Sequence, residues 1–289
     1  NVTLDGTISG SGALLKSSSG TGTLFLRSSA NNTYTGTTTV NAGILNLNSS
    51  ASATAMVPGD LVINANGTVT LGQSSQIADT SDVTVNGVLS LGGFSETIAT
   101  LTMTAGDVST GAGTLTCGNI TTFGSSLSST IAGNLFLGTA TRTISVADGT
   151  STTDLIISAV ISGGTSGSPL FIPAGFTKTG AGTLVLSGAN TYGGPTTVND
   201  GIVDLQNNLG LGGTVAPLVG SAATFVNSNA VLLLRNAHVT NEVLTLNSLN
   251  SGGALQVELT GDWIGDITLS TNVVIEASSL LQLGGVISG

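Results

Sequence analysis

The sequence predicts an all-β protein, a parallel β-helix (β-solenoid) of roughly 12 coils. Three observations lead to this prediction: a long internal repeat, a short strand-like unit that recurs along the chain, and the composition. The 289 residues include 42 glycines, 7% are charged and 40% are hydrophobic. Abundant Gly, Ser, Thr and Asn favour tight turns between short extended segments, and no stretch has the periodicity of an amphipathic helix. So little charge with so much apolar content indicates a folded chain.

The long repeat consists of two stretches about 158 residues apart, at 20–48 and 180–206. Both contain Gly-x-Gly-Thr-Leu-x-Leu, then Asn-Thr-Tyr, then Thr-Thr-Val-Asn-x-Gly-Ile-x-x-Leu. Repetition on this scale implies a fold built by stacking similar units. The residues that define this repeat signature are Gly22, Thr23, Leu24, Tyr34, Val40 and Gly43 in the first copy and Gly182, Thr183, Leu184, Tyr192, Val198 and Gly201 in the second.

The shorter unit is a glycine or small residue followed by two apolar positions with a variable residue between them. Examples are GTLFL (22–26), GILNL (43–47) and GIVDL (201–205). Adjacent units start about 19 to 29 residues apart, which fits one turn of a solenoid better than the 8–12-residue spacing of hairpins. Because side chains alternate across a strand, we expect Leu45 and Leu47 to point into the coil and Asn46 to point outward.

A third marker, Ile-Ser-Gly, occurs at 8–10, 161–163 and 287–289. The first two precede the long repeat by similar distances. We therefore expect a single continuous solenoid over 1–289 that consists of two related long units, at about 7–159 and 160–286.

The region at about 118–175 breaks the regular pattern and is expected to form irregular coils with a loop at 163–169. A domain boundary in this region is the alternative. Neither end of the chain has the polar residues typical of a solenoid cap, so the chain is expected to be a segment of a longer rod or to stack end to end. It starts at Asn1 without a signal-peptide pattern, which indicates a processed or truncated start.

The two long copies resemble the passenger-associated transport repeat, also called the autotransporter-associated β-strand repeat. The resemblance is strongest in Thr-Gly-Ala-Gly-Thr-Leu at 179–184, Ser-Gly-Ala-Asn-Thr-Tyr at 187–192 and Thr-Thr-Val-Asn at 196–199. It implies a right-handed parallel β-helix in a large secreted or surface-exposed bacterial protein. It also implies a role in carrying the passenger outward and no catalytic residues.

Charge and composition exclude several partners. The formal net charge is −10, and the five basic residues are scattered, so there is no basic stripe for nucleic acid. The apolar runs are too short to cross a bilayer, so no membrane insertion is expected. No phosphate-binding loop and no calcium-binding nonapeptide occur, and we expect no cofactor. Cys117 takes a leucine-like position in GTLTC and is expected to be a small buried hydrophobe.

Catalysis is not expected. His238 is the only histidine, its neighbours lack metal-ligand spacing, and we expect a structural or surface residue. Some β-helices cleave polysaccharides with paired carboxylates, and the acid pairs to consider are Asp79 with Asp82, Asp200 with Asp204 and Asp262 with Asp266. Ala42 occupies the position of Asp200 in the first copy, which makes that pair a poor catalytic candidate.

The best candidate for ligand contact is the segment at 262–266. It holds the only tryptophan, Trp263, between Asp262 and Asp266, and an exposed indole beside carboxylates can stack on a sugar ring. The alternative is a tryptophan that fills a wide coil or covers the end of a rod. Tyr34 and Tyr192 occupy matching repeat positions and are expected to pack in corners.

The leading functional hypothesis is an extracellular structural rod, a surface fibre, sheath or adhesin-stalk subunit that stacks end to end through open β-helix edges. Its location would be secreted or on the bacterial cell surface. The alternative is an adhesin passenger module that binds glycans or a host protein through 163–169 or Trp263. A polysaccharide-active enzyme is less favoured. The expected partners are copies of the chain or further repeats of a longer chain, together with surface glycans.

Overall fold

In a computed structural model the protein is built from β-strands. The structure describes residues 1–17, 21–49, 55–164, 173–212, 223–240 and 242–289, and this part of the chain contains no α-helix, hence none that is long and apolar enough to span a membrane. The strands pair in parallel and stack as a solenoid of about 12 turns, so the predicted fold class is confirmed. The right-handed sense stays a prediction. The predicted loop at 163–169 falls mostly outside the described residues.

The chain divides into two compact units. Unit 1 comprises Asn1–Ile120 and Ser128–Phe136, and unit 2 comprises Thr121–Leu127 and Leu137–Gly289. The expected long units at 7–159 and 160–286, and the irregular region at 118–175, were inferred from sequence markers and stay predictions.

Unit 1 consists of β-strands that are joined by corners, and each strand pairs with a strand of a neighbouring turn. They are β1 (Val2–Leu4), β2 (Ser9–Gly10), β3 (Leu14–Lys16), β4 (Thr23–Leu26), β5 (Thr33–Tyr34), β6 (Thr38–Leu47), β7 (Leu61–Leu71), β8 (Asp82–Val85), β9 (Val88–Ser90), β10 (Glu96–Ile98), β11 (Thr100–Met103), β12 (Asp107–Ser109), β13 (Leu115–Cys117), β15 (Ser129–Ala132) and β16 (Asn134–Phe136), while β14 (Ile120–Thr122) lies at the division.

Unit 2 has the same kind of elements. They are β17 (Arg142–Val146), β18 (Leu155–Ile157), β19 (Val160–Ser162), β20 (Phe176–Thr179), β21 (Thr183–Leu186), β22 (Thr196–Val198), β23 (Ile202–Leu205), β24 (Ala223–Ser228), β25 (Val231–Val239), β26 (Val243–Ser248), β27 (Leu255–Trp263), β28 (Ile267–Leu269), β29 (Ile275–Ala277), β30 (Leu280–Leu283) and β31 (Ile287–Ser288).

The recurring short units lie directly above one another. In unit 1 the register aligns Leu24, Leu45, Val69 and Leu89 on β4, β6, β7 and β9. In unit 2 it aligns Leu184, Val203, Leu232 and Leu255 on β21, β23, β25 and β27. Such ladders of aliphatic side chains remove apolar surface from water on every turn and form the core of each unit.

The predicted orientation of the GILNL strand is confirmed. Leu45 and Leu47 are fully buried, whereas Asn46 is only half-buried. The amide Nδ2 of Asn46 donates a hydrogen bond to Oγ1 of Thr70 on the next turn, at 2.8 Å. Polar side chains on the outer face therefore also link successive turns.

The two glycines of the signature in the first copy play different roles. Gly43 has φ of +74°, and its counterpart Gly201 has φ of +66°. This is the left-handed region, which L-residues with a Cβ atom avoid. Gly22 has no positive φ, and a Cβ built on it would meet nothing within 4 Å.

We therefore expect Gly43→Ala to lower the free energy of unfolding by about 1–2 kcal/mol, the usual cost of a left-handed L-residue. Gly22→Ala, at an equally recurrent signature position, should change it by less than about 0.5 kcal/mol. Urea denaturation followed by circular dichroism measures both. Equal losses in the two variants would show that the signature glycines are not distinguished by backbone conformation.

Candidate functional site

The asparagine of the Asn-Thr-Tyr motif is buried and joins three successive turns. Asn190 accepts a hydrogen bond from the backbone N–H of Ile161 at 2.8 Å and donates one to the carbonyl of Gly210 at 2.6 Å. In the first copy Asn32 likewise accepts a hydrogen bond from the N–H of Ile8 at 2.8 Å. Both isoleucines begin an Ile-Ser-Gly marker, so two separate sequence markers are the two sides of one contact.

The signature tyrosines are also buried. Their hydroxyls lie 2.5 Å from Oγ1 of Thr38, for Tyr34, and 2.6 Å from Oγ1 of Thr196, for Tyr192. The Tyr192 ring packs edge-on against Phe176, with ring centroids 5.5 Å apart. Burial raises the pKa of both tyrosine hydroxyls. These rings therefore pack inside the coil, as the sequence suggested, and do not form a ligand platform.

Two lysines donate hydrogen bonds to backbone carbonyls at equivalent corners of the two repeat copies. These contacts were not predicted from the sequence. Nζ of Lys16 donates to the carbonyl of Ala42 at 2.9 Å, and Nζ of Lys178 donates to the carbonyl of Asp200 at 2.8 Å. Lys178 also bonds to the carbonyl of Gly180 and is fully buried. Desolvation lowers the pKa of Lys178 to about 8, although nearby carboxylates oppose this shift. The signal in the sequence was a lysine shortly before Gly-x-Gly-Thr-Leu in each copy.

Two buried glutamates were also missed. Oε2 of Glu96 accepts hydrogen bonds from the backbone N–H of Gln76 at 2.7 Å and of Ile77 at 3.2 Å. Oε1 of Glu242 accepts one from Oγ1 of Thr224 at 2.8 Å. Burial raises the pKa of Glu96 to about 7 and that of Glu242 to about 8. Because both side chains are buried and hydrogen-bonded to a neighbouring turn, we assign them a structural role.

The structure decides between the two interpretations of Trp263. Its indole is fully buried rather than exposed, and Nε1 has no hydrogen-bond partner within the described part of the chain. The alternative reading, a tryptophan that fills the coil, is the one observed. Oδ2 of Asp262 lies 2.6 Å from Nδ1 of His238, and Oδ1 of Asp266 accepts a hydrogen bond from the N–H of Val286. Ligand contact by these two aspartates stays a prediction.

The other residues considered for chemistry are placed as follows. Asp204 is buried against Arg235, whose Nε lies 3.2 Å from Oδ2, whereas Asp200 is at the surface. Asp82 accepts a hydrogen bond from Thr100. Cys117 is buried, as expected. Within the described ranges no group of three or more His, Cys, Asp and Glu side chains could hold a metal ion.

An open cleft in unit 2 lies beside the His238–Asp262 pair and has a volume of about 630 Å³. This volume is within the range usual for small-molecule sites. No local sequence pattern reveals this cleft, because its sides come from two segments of the chain about 30 residues apart. It is lined by Gln206, Asn207, Asn208, Leu209, Asn236, His238 and Thr240. We call these residues the amide cleft.

Asn190→Ala should lower the free energy of unfolding by about 2–4 kcal/mol, because it leaves a buried N–H and a buried carbonyl without partners. Asn229→Ala, which removes an exposed asparagine in the same unit, should change it by less than about 0.5 kcal/mol. Urea denaturation of the two variants checks this. A loss in Asn190→Ala no larger than in the control would contradict the three-turn bridge.

Glu242 should make the protein more stable in acid. Its pKa is about 8 when folded and 4.5 when unperturbed, so the folded state binds the proton more tightly. This contribution is fully present below pH 4.5 and is lost as the pH rises to about 8. The melting temperature should therefore fall across this window, and the fall should be smaller by roughly 3–6 °C in Glu242→Gln.

Glu276→Gln, at an exposed glutamate of the same unit, is the control and should keep the wild-type pH profile. Calorimetry at a series of pH values measures all three proteins. Identical pH profiles for Glu242→Gln and the wild type would remove this role from Glu242.

Comparison with known proteins agrees with the repeat and the fold. The passenger-associated-transport-repeat family matches the chain at residues 19–47 and 176–205. Over 194 residues, 61% of this chain, the sequence is 29% identical to the Adhesin BmaC autotransporter of Brucella suis biovar 1 (strain 1330). The chain spans about 5% of the length of that protein. No solved structure matches the chain significantly. The chain is thus a parallel β-solenoid with two segments that match the passenger-associated transport repeat, and the resemblance recognised in its sequence is confirmed.

Proposed function

We propose that the chain is a structural passenger segment, secreted or at the bacterial cell surface, that stacks through its open β-helix edges onto further copies or further repeats. The proposal is supported by the two transport repeats and by the similarity to an autotransporter adhesin. Such a segment would serve as a fibre, a sheath or an adhesin stalk. It needs no catalytic residues.

The observation that carries this proposal is an unpaired edge in unit 2. β29 and β30 each pair with β27, β31 pairs with β28, and none of the three has a second neighbour among the described residues. Their exposed apolar side chains include Leu280, Val286 and Ile287. An edge with free N–H and C=O groups beside apolar side chains is a template for another strand layer.

The third Ile-Ser-Gly marker lies on this edge, in β31. In both inner copies the isoleucine N–H of the marker is bound by the buried asparagine of the turn that follows, Asn32 or Asn190. A further repeat, from a second copy or from a longer chain, would bring an asparagine to Ile287 in the same way. This recurrence supports stacking with a defined register over unspecific association.

Leu280→Lys should weaken self-association at least about fivefold, because a charged side chain on an edge strand opposes pairing. Leu249→Lys is a matched control, since Leu249 and Leu280 are both 68% exposed and Leu249 lies outside the edge strands. Sedimentation velocity over a range of concentrations, with electron microscopy of the same samples, measures association. Wild-type protein that stays monomeric without end-to-end contacts, or a control variant as impaired as Leu280→Lys, would defeat stacking of copies.

A second candidate function is recognition of a glycan or a host protein. It is favoured by the similarity to an adhesin and by the amide cleft. Binding of the purified chain to host cells tests this candidate without reference to stacking.

A further inference from the structure

We propose that the amide cleft binds a neutral saccharide. The proposal rests on the second candidate function, to which it gives a site and a ligand class, and it does not depend on end-to-end stacking. Three observations support it: a β-bulge opposite Asn236 in the cleft wall, polar side-chain atoms of the cleft that have no protein partner among the described residues, and the charges around the cleft.

A β-bulge in β27 lies opposite Asn236, which lines one wall of the cleft. The register of β25 and β27 shifts between Arg235 and Ala237, so that Asn236 faces two residues of β27. Asn236 itself has φ of +57°, in the left-handed region, and its Oδ1 accepts a hydrogen bond from Oγ1 of Thr260 at 3.1 Å. Bulges are over-represented beside functional sites, where they change the direction of a side chain.

Hydrogen bonds hold the opposite wall in place. Oδ1 of Asn207 accepts from the N–H of Leu209 at 3.0 Å, and its Nδ2 donates to the carbonyl of Ser187 at 3.1 Å. Oδ1 of Asn208 accepts from the N–H of His238 at 2.9 Å, which ties this turn to β25. The cleft is therefore preorganised, and a ligand would not have to order it.

Several polar atoms of the cleft remain without a protein partner in the described part of the chain. They are Nδ2 of Asn208, Nδ2 of Asn236, Oε1 of Gln206 and Nε2 of His238. The set combines amide donors with an amide acceptor. A sugar hydroxyl both donates and accepts hydrogen bonds, so it matches such a mixed set, and Leu209, which is 40% exposed, can contact the C–H face of a sugar ring.

The charges near the cleft favour a neutral ligand. Among the described residues, no lysine, arginine or carboxylate lines it. The carboxylate of Asp262 lies against Nδ1 of His238, and that of Asp204 lies against Arg235. With a chain charge of −10, an anionic sugar or a phosphate would meet repulsion and no cationic partner. The volume of about 630 Å³ lies within the range of small-molecule sites, so di- and trisaccharides are suitable probes.

The test is a titration of the full ¹⁵N-labelled chain, followed by NMR, with lactose, N,N′-diacetylchitobiose, maltotriose and mannotriose. At least one should give saturable shifts that include the side-chain amides of Asn208 and Asn236. Asn236→Gly keeps the left-handed backbone and removes the amide, so affinity should fall roughly three- to tenfold, as for one lost hydrogen bond. Asn66→Ala, at an exposed asparagine of unit 1, should bind as the wild type does.

If Asn236→Gly alters the circular dichroism or the melting temperature, Leu209→Ala is the deciding variant for the sugar site. It removes an exposed side chain without breaking a side-chain hydrogen bond. It should also weaken sugar binding at least threefold. Absence of saturable shifts with all four sugars, shifts confined to other surfaces, or wild-type affinity in the deciding variant would overturn the proposal. Equal or tighter binding of sialyllactose would overturn the assignment to neutral sugars. Host-cell binding that persists undiminished in the variants would retain the second candidate function and remove this site.

Discussion

The main chain of a β-solenoid has to find its hydrogen-bond partners one turn away, and everything else in this protein depends on that constraint. A buried N–H or carbonyl without a partner costs as much as several favourable contacts contribute. Strands meet the requirement easily, because parallel neighbours keep the same register from turn to turn. Corners do not, since the chain changes direction there and exposes groups that no strand can reach. The buried side chains of Asn32, Asn190, Lys16 and Lys178 supply partners at these places.

The need for hydrogen-bond partners at the corners explains why a chain with few charged side chains buries some of them. Lys178 donates to backbone carbonyls, and Glu96 accepts from backbone N–H groups, so each long polar side chain acts as a connector between turns. Desolvation shifts the pKa of each group in the direction that favours its neutral form. The hydrogen bonds to the backbone reduce the free-energy cost of burying these groups. Ladders of apolar side chains provide most of the stabilisation of each unit. The connecting polar side chains specify the register in which successive turns stack.

The fold and the ladders could be predicted because they depend on local periodicity. Alternating leucines within five residues, such as Leu45 and Leu47, identify a strand and its inner face without knowledge of distant residues. Partners a full turn away carry no such local signal. Glu242 binds Thr224, and the amide cleft joins the turn after β23 to the bulge at Asn236. For Trp263 the acidic neighbours left both stacking on a ligand and packing in the coil open, and alternation along β27 places the indole inside.

One difference between the two repeat copies shows how much change the corners tolerate. Five residues separate Leu26 from Asn32 in the first copy, whereas three separate Leu186 from Asn190 in the second. Both asparagines nevertheless make the same bonds to the preceding marker. The longer corner of the first copy leaves the aligned leucines in register, and its residues 29–31 are exposed. Foreign peptides grafted at the exposed residues 29–31 would therefore be displayed at the surface while the interior is kept, and lineages of such proteins can diversify their exteriors while the interior stays constant.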